Sequence, residues 1–418
     1  MGDITVGARR CRLVGSQPLP VQTGLALLTM IFTNARLIFP DGIRDGLEVV
    51  AEEGKIRAIR EKTLARGKGT IDLYGNYLAP GFVDLHVHGA VGRDTMEASA
   101  EAFGSICDFH ASGGTTSLLL TTATAPIDKL VEVLSAVRDC IQRRAPRSRP
   151  INAIAGVHLE GPFISKAKRG AQREEFICEP APESIAGLLE FAGVIKRVTL
   201  APEIRGAFDL IDRLRAHSIS VSGGHSDASD EDARVAFDHG MRSVTHTFNC
   251  MSSARRRGVY RIGGLLEFAL SEPQISCELI ADGHHVSTTL MKMLYRAKGA
   301  SGICLVTDAT AGAGLPDGSQ FSLFGSDCIV EDGVCLLADR SALAGSASRM
   351  IDLVRTMVRD VDLPLHEVVM MATGNPAQAV GLETKGRLAA GADADFVILS
   401  PELEVMRAFC IGEEIWSE

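Results

Sequence analysis

The sequence predicts an α/β protein: a (β/α)8 TIM-like barrel with a small β-sandwich domain built from both chain ends. Between about residues 81 and 383, short apolar strands alternate with amphipathic helices. In residues 30–80 and 384–418, short β-like runs are separated by tight turns instead. The 418 residues can hold one large barrel and an accessory domain. Residues 1–29 are left as an N-terminal extension, which we expect to be flexible.

The β-like runs of the small domain fall into two groups. Before the barrel they cover residues 31–38, 47–51, 55–59 and 70–74, with turns such as Pro40-Asp-Gly42 and Glu52-Glu-Gly54 between them. After the barrel they cover residues 394–399 and 405–411. We expect the two groups to pair and to form one domain around a central insertion.

The barrel region contains eight strand candidates. One helix between them, Ile127–Arg143, has an apolar stripe on one face. A hairpin-like insertion near residues 316–335 follows the last strand, and helices at about 346–360 and 364–380 close the barrel. The rival fold, an open doubly wound sheet, lacks the glycine-rich GxGxxG turn after its first strand. The strand candidates are residues 82–87, 116–121, 153–158, 197–201, 219–223, 243–247, 276–281 and 303–307.

Composition excludes several classes of function. The net charge of −9 argues against nucleic acid or an anionic membrane as the main partner. No apolar run of the sequence reaches transmembrane length. The ten cysteines lack CxxC spacing, and several lie in apolar runs, which is typical of reduced thiols in a cytosolic protein. These features favour a cytoplasmic protein and leave an anionic small molecule open as a substrate, since a local basic pocket can oppose the net charge.

The first barrel strand ends in two histidines with one residue between them. Because alternate residues of a strand face the same side, His86 and His88 can both point into the barrel mouth. Active sites of such barrels lie at the C-terminal ends of the strands. Two imidazoles at this spacing predict a metal site, although histidines bonded to the backbone would give the same pattern.

Polar residues recur at the ends of four further strands. Glu160, His225, His246 and Asp308 follow the third, fifth, sixth and eighth strands. Imidazole and carboxylate ligands without thiolates suit Zn²⁺, with Fe²⁺, Mn²⁺ and Co²⁺ as alternatives. The sequence therefore predicts one or two divalent ions in the barrel mouth. The remaining histidines fit structural positions better. His158 lies in a predicted strand, and four others lie in predicted helices or at helix ends: His110, His217, His239 and His366.

Several motifs in colinear order resemble the amidohydrolase superfamily. Pro80-Gly-Phe-Val-Asp-Leu-His-Val-His88 is similar to its first-strand motif, and residues 386–397 are similar to its C-terminal return. More narrowly, residues 156–163, 224–228, 245–249, 281–286 and 305–310 resemble N-acetylglucosamine-6-phosphate deacetylases. The resemblance spans about residues 30–416.

This resemblance implies a role for each strand-end residue. Glu160, His225 and His246 would hold the primary metal, whereas His86 and His88 would serve a second metal. Asp308 would be the general base, because a carboxylate beside water can accept its proton and pass it to the leaving nitrogen. The implied reaction is hydrolysis of an N-acetyl group to acetate and a free amino sugar phosphate. Alternatively, Asp308 would have only a structural role, as the cap of a helix or a turn.

The substrate-binding motifs depart from the family pattern. Gln172 stands where the family has a histidine that approaches the substrate carbonyl, and a glutamine amide donates a hydrogen bond but carries no charge. For the sugar phosphate, the resemblance points to Asn249, Cys250, Arg257 and His285, with Cys250 in place of the family alanine. A family arginine of this kind can come from the neighbouring subunit, which implies a homodimer. Otherwise the loop around Arg257 is a solvated basic segment.

Three hypotheses remain open from the sequence. The leading one is deacetylation of N-acetylglucosamine 6-phosphate in amino sugar catabolism or recycling. A second is an amidohydrolase that acts on an epimeric or unphosphorylated N-acyl amino sugar, which the departure at Gln172 keeps open. A third is a non-catalytic sugar phosphate-binding homologue, which would need a broken metal site or a missing base.

Overall fold

The computed structural model describes residues 29–63, 69–143 and 150–418. Its largest sheet has eight parallel strands, paired in the order in which they follow one another along the chain. The first and eighth strands meet through a parallel bridge between Val87 and Ala309, so the sheet closes into a barrel. The eight strands are Phe82–Val87, Thr115–Thr122, Ile154–Glu160, Ile195–Leu200, Ser220–Gly223, Ser243–Val244, Ser276–Leu279 and Ile303–Leu305.

The predicted barrel is confirmed, and seven of the eight strands begin within one residue of the predicted position. The sixth strand is shorter than expected, because the chain leaves the ladder after Val244 to present His246 with a positive φ of 30°. The predicted helix Ile127–Arg143 has the same bounds in the structure, and its apolar stripe is buried against the barrel. The principal helices are Ala100–Ser112, Ile127–Arg143, Pro182–Leu189, Ala207–Ala216, Asp230–His239, Leu265–Ser271, Thr288–Lys298, Met350–Arg359, Leu365–Ala372 and Gly374–Ala379.

One helix prediction was wrong. The segment 364–380 forms two helices, which separate at Thr373. Thr373 has a φ of −135° and a ψ of −82°, outside the helical range, and its hydroxyl donates to the carbonyl of Val369 at 2.6 Å. Pro376 at the start of the second helix lacks the N–H that a continuous helix would use.

The two chain ends form two sheets that pack together. One sheet has four strands, in the order Lys55–Glu61, Leu47–Glu52, Met30–Thr33 and Thr70–Asp72. The other has six strands, in the order Glu413–Ser417, Val405–Cys410, Phe396–Leu399, Tyr77–Pro80, Arg36–Phe39 and Gly42–Arg44.

Aromatic residues join these two sheets. The Phe32 ring of the first sheet lies 5.0 Å from the Phe396 ring and 5.3 Å from the Phe409 ring, both of the second sheet. These edge-to-face contacts form the centre of a core separate from that of the barrel. The run predicted as one strand at 31–38 is split at Asn34, whose φ of 56° sends its two halves to different sheets. The N-terminal extension predicted at residues 1–29 lies outside the described residues except for Thr29.

The insertion after the eighth strand is a three-stranded antiparallel sheet of Gln320–Leu323, Ser326–Glu331 and Val334–Leu337. It lies beside the barrel mouth, where two short hairpins, Gly89–Ala90 with Arg93–Asp94 and Arg255–Arg257 with Tyr260–Ile262, also follow barrel strands. Within the described ranges, no helix combines the length and the apolar character needed to cross a bilayer.

Candidate metal centre

The two histidines of the first strand end side by side in the barrel mouth. The His86 and His88 Nε2 atoms lie 3.2 Å apart, and both side chains are buried. His86 Nε2 lies 3.3 Å from Glu160 Oε1, and His88 Nε2 lies 3.2 Å from Glu160 Oε2. The alternation of strand side chains does not by itself bring His88 here, because the strand ends at Val87. The main chain is held by a hydrogen bond from the His88 N–H to the carbonyl of Ala309 at 2.8 Å.

A second pair of histidines approaches the same carboxylate from the opposite side of the mouth. His225 Nε2 and His246 Nε2 each lie 3.2 Å from Glu160 Oε1, and 3.1 Å from one another. The ligand atoms of His86, His88 and Glu160 form one compact group, and those of Glu160, His225 and His246 form another. Glu160 therefore stands between two sets of imidazoles.

Asp308 completes this arrangement after the eighth strand. Its Oδ1 lies 3.4 Å from the Nε2 atoms of both His86 and His88. Its backbone N–H donates to the carbonyl of His86 at 2.9 Å, and its carbonyl accepts from the Ser346 N–H at 2.9 Å. The backbone thus holds the carboxylate over the mouth independently of its side-chain contacts. We call Glu160, Asp308 and the four imidazoles the strand-end cluster: His86, His88, Glu160, His225, His246 and Asp308.

The donor set of the strand-end cluster fits a divalent cation. Two ring nitrogens at 3.1–3.2 Å face each other in each pair, and two lone pairs cannot face at that distance without a proton or a cation between them. Ligands of a tetrahedral zinc ion at about 2 Å lie about 3.3 Å apart, close to these separations. In addition, His225, His246 and Asp308 have φ values of 46°, 30° and 49°. Strained backbone of this kind concentrates at functional sites.

The electrostatics of the strand-end cluster also favour a bound cation. Burial would raise the pKa of the Glu160 carboxyl, but His86 and His225 hold that pKa well below its usual value. Burial would lower the pKa of His86, whereas the charges of Asp308 and Glu160 raise it well above its usual value. The pKa of His225 is also raised, because the charge of Glu160 outweighs its burial. The carboxylates therefore draw positive charge, as protons or as a metal ion, to the imidazoles.

Beneath the strand-end cluster lies a buried ion pair that the sequence analysis missed. Arg197 of the fourth strand donates to Glu278 of the seventh, and both are fully buried. Glu278 also lies 3.4 Å from His86 Nδ1 and accepts from the His246 N–H at 3.3 Å. Burial would raise the pKa of Glu278, but Arg197 and His86 hold it at about 2. Each of the two residues is a charged residue within an otherwise apolar strand, and this pattern could have indicated a buried ion pair from the sequence.

The expectation for the structural histidines is confirmed. His158 Nδ1 lies 3.1 Å from the carbonyl of Leu85, and its Nε2 lies 2.7 Å from Thr199 Oγ1. Burial holds the pKa of His158 well below its usual value, so it remains neutral. The other four lie in helices or directly after one, outside both ligand groups: His110, His217, His239 and His366.

Gln172 lies against the strand-end cluster. Its Nε2 donates to Glu160 Oε2 at 2.6 Å, and its Oε1 accepts from the backbone N–H of Thr124 at 2.8 Å. The side chain is buried and lines the barrel mouth. The amide therefore orients the carboxylate that the four imidazoles share.

Three of the four residues expected to bind a sugar phosphate lie in this mouth. Asn249, Cys250 and His285 line a cavity of about 270 Å³ together with every member of the strand-end cluster except His86. His285 Nδ1 lies 2.6 Å from Asp282 Oδ2, which fixes the ring. The fourth, Arg257, lies on the Arg255–Arg257 strand outside this lining, and its guanidinium pairs with Glu231 at 3.0 Å. The structure of one chain therefore does not bring Arg257 to the cavity.

Comparison with known proteins gives consistent matches. The model of the amidohydrolase family matches residues 77–414. The chain is 36% identical over 377 residues to N-acetylglucosamine-6-phosphate deacetylase of Lysinibacillus sphaericus, covering 90% of this chain and 95% of that protein. It is 30% identical to N-acetylgalactosamine-6-phosphate deacetylase of Escherichia coli O157:H7, covering 92% and 99%.

A solved structure agrees with the sequence matches. The crystal structure of N-acetylglucosamine-6-phosphate deacetylase from Pasteurella multocida superimposes with a TM-score of 0.86 at 30% identity, covering 93% of this chain and 100% of that one. The overall fold of this chain is thus shared with that structure. The chain belongs to the amidohydrolase family, and within it to the group of N-acetylglucosamine-6-phosphate deacetylases.

Proposed function

We propose that this protein hydrolyses the N-acetyl group of N-acetylglucosamine 6-phosphate to glucosamine 6-phosphate and acetate, in amino sugar catabolism or recycling. The observation that carries the proposal is the convergence of four imidazoles on Glu160, with Asp308 against two of them, at a cavity of about 270 Å³. The names of the relatives support the same substrate class.

The strand-end cluster would hold the metal that this chemistry needs. Glu160, His225 and His246 would bind the primary ion, and His86 and His88 would bind a second one with Glu160. We propose zinc, with iron, manganese or cobalt as the alternatives. A bound divalent ion supplies Lewis-acid polarisation of a carbonyl and lowers the pKa of its water to about 7.

Asp308 is the proposed general base and acid. Its side chain is 13% exposed, whereas that of His86 is fully buried, so Asp308 is the member of this pair that substrate and water reach. It accepts a proton from water as the water oxygen bonds to the acetyl carbon. It then donates that proton to the amide nitrogen as the C–N bond breaks, which releases acetate and the free amine.

The remaining lining residues would bind the sugar phosphate. Asn249 and the backbone at Cys250 lie after the sixth strand, and His285 lies after the seventh. The pKa of His285 is raised, because Asp282 outweighs burial, which favours the imidazolium and hence a phosphate. Arg257 would come from a neighbouring subunit, and we therefore propose a homodimer. The described cysteines are all free, which supports a cytoplasmic location.

A second candidate is deacetylation of the galacto epimer. The relative from Escherichia coli O157:H7 is named a deacetylase of N-acetylgalactosamine 6-phosphate. In this chain, Gln172 in place of the family histidine keeps a different substrate epimer open. A non-catalytic sugar phosphate-binding role would require a broken donor set, and the strand-end cluster is complete.

An acetate-release assay tests the proposal. The gluco, galacto and manno forms of the N-acetyl amino sugar would be compared, each with and without the 6-phosphate, with metal content measured on the same sample. We expect the highest kcat/KM for the gluco 6-phosphate. A higher value for an epimer or an unphosphorylated sugar would replace the substrate. Binding without acetate release from metal-loaded protein would identify a binding homologue instead.

A further inference from the structure

The tip of the inserted hairpin reaches into the metal centre. Phe324 and Gly325 connect the strands Gln320–Leu323 and Ser326–Glu331, with φ values of 53° and 86°. Positive φ at both central residues is the geometry of a two-residue type I′ hairpin turn, which rarely places a bulky residue first. The Phe324 ring lies 5.2 Å from the ring of His88, tilted by 69°. An aromatic ring in a strained turn therefore covers one histidine of the strand-end cluster.

This ring separates two cavities. On one side lies the cavity of about 270 Å³ that contains the strand-end cluster. On the other lies a cavity of about 370 Å³, and Phe324 lines both. Asp94, Glu97, Lys129 and Arg173 line part of the second cavity, and the rest of its surface is largely apolar, formed by Met96, Ala123, Ala125, Pro126 and Phe176. It is suited to a hydrocarbon chain, yet the ring closes it off from the metal centre.

The second cavity lies opposite the proposed sugar phosphate site. Its lining follows the eighth, first, second and third barrel strands, with the largest share after the second. Asn249 and Cys250 follow the sixth strand. On a ring of eight strands the second and the sixth are diametrically opposed, with the strand-end cluster between them. A substrate bound by its phosphate near Asn249 thus directs its N-acyl group across the cluster towards Phe324.

We propose that Phe324 is the specificity-determining residue that limits the N-acyl group to acetyl. Its ring meets the acyl methyl and blocks longer chains from the cavity behind it. This inference rests on the proposed deacylation, but it concerns a residue outside the proposed metal and phosphate ligands. The chemical class that the open cavity would admit is an N-acyl amino sugar 6-phosphate with a chain of three or four carbons.

The test compares two hairpin variants of the metal-loaded, full-length protein. Phe324→Ala opens the wall between the cavities. Phe321→Ala removes the same ring from the same strand pair, and Phe321 packs against the same small core of the inserted sheet as Phe324 but lines neither cavity. For each protein, kcat/KM would be measured with N-acetyl, N-propionyl and N-butyryl glucosamine 6-phosphate. Phe324→Leu gives an intermediate wall, and thermal unfolding checks that each variant is folded.

We expect Phe324→Ala to raise the butyryl-to-acetyl ratio of kcat/KM at least about tenfold, since one methylene in an apolar pocket changes specificity by about 10-fold or more. Phe324→Leu should shift the ratio less, and Phe321→Ala should leave it unchanged. Equal loss on all three substrates in a folded Phe324→Ala protein would overturn the inference, as would the same shift in Phe321→Ala. A parent protein that releases no acetate would instead sink the proposed function.

Discussion

The third barrel strand, Ile154–Glu160, has a cavity at each end, and each cavity holds a group of buried charges. At its C-terminal end, Glu160 belongs to the strand-end cluster. Near its N-terminal end, Ile154 lines a larger cavity of about 590 Å³ where the small domain meets the barrel. Lys385 and Asp393 line this cavity, as do Glu53 and Glu413. Lys385 and Asp393 pair with two further charges, and we call the four paired residues the Lys385 cluster: Lys55, Lys385, Asp393 and Asp395.

The two clusters differ in how their charge is compensated. Lys385 Nζ lies 2.7 Å from Asp395 Oδ2 and 3.2 Å from Asp393 Oδ2, and Lys55 Nζ lies 2.6 Å from Asp393 Oδ1. Two cations thus match two anions. In the strand-end cluster, acceptor atoms face one another and need a charge from outside. We therefore interpret the larger cavity as a structural junction. A cluster whose charges are not compensated by its own residues indicates a catalytic site, whereas the volume of a cavity does not.

The largest effect is expected from replacing Asp308, the proposed general base of the strand-end cluster. Asp308→Asn keeps the backbone bonds to His86 and Ser346 but cannot accept a proton. We expect kcat to fall by about 10²–10⁴-fold while the metal content stays the same. Acetate release and elemental analysis on one sample check this, with Asp317→Asn on the inserted sheet as the control. Parent activity in the Asp308 variant would mean that the assigned base is wrong.

Breaking the Lys385 cluster should cost stability and leave the chemistry intact. Lys385→Met leaves Asp395, which is 3% exposed, without its cation. Removing one partner of a buried pair lowers the free energy of unfolding by about 3–5 kcal/mol. Denaturant unfolding measures this, and Arg340→Met in an exposed pair with Glu331 should leave the free energy of unfolding nearly unchanged. A large loss of kcat per folded molecule would refute the structural role.

The same variant has a pH signature. Burial would lower the pKa of Lys385, but Asp395 and its neighbours raise it above 10.5, its usual value. Because the folded-state pKa is the higher one, the stabilisation is complete below about pH 10.5 and is lost as the pH rises further. The difference in unfolding free energy between parent and Lys385→Met should therefore be constant in neutral solution and shrink above that pH. A difference that stays constant above pH 10.5 would refute the assignment.

A smaller effect sharpens how the strand-end cluster is held. Gln172→Ala removes the 2.6 Å bond to Glu160 Oε2. Loss of such an outer partner typically weakens metal affinity by about 10–100-fold. Competition with a zinc-buffering chelator measures the Kd directly, and Gln320→Ala on the exposed hairpin is the control. We expect Gln172→His to recover part of the affinity, since one ring nitrogen can donate to Glu160 while the other accepts from Thr124. An unchanged Kd in the alanine variant would show that Gln172 orients nothing.

The smallest effect is expected at Arg257, whose charge lies at the surface and not in a buried cluster. Arg257 is 53% exposed and pairs with Glu231 at the surface. We expect Arg257→Ala to leave stability unchanged but to raise KM for the phosphorylated sugar about tenfold more than for the free sugar. Arg261→Ala on the neighbouring strand is the control. Equal changes in KM for both sugars would remove Arg257 from the phosphate site.

Much of the barrel and its ligands could be read from the sequence because the signals are local. Hydrophobic periodicity within ten or twenty residues predicted all eight strands and the helix Ile127–Arg143. His86, Glu160, His225 and Asp308 were found because each lies within three residues of a strand end, and parallel strands all end on one face of a barrel. The joining of the chain ends followed from two separated β-like textures.

The tertiary structure alone decided the contacts between distant segments. Arg197 and Glu278 are 81 residues apart, and neither strand pattern predicts that they meet inside the barrel. Gln172 turns to Glu160 only because the main chain at Thr124, 48 residues away, holds its carbonyl oxygen. Phe324 reaches His88 from a hairpin inserted after the last strand. Local sequence determines which residues a strand presents at its end, whereas three-dimensional packing determines which residues from elsewhere hold and cover them.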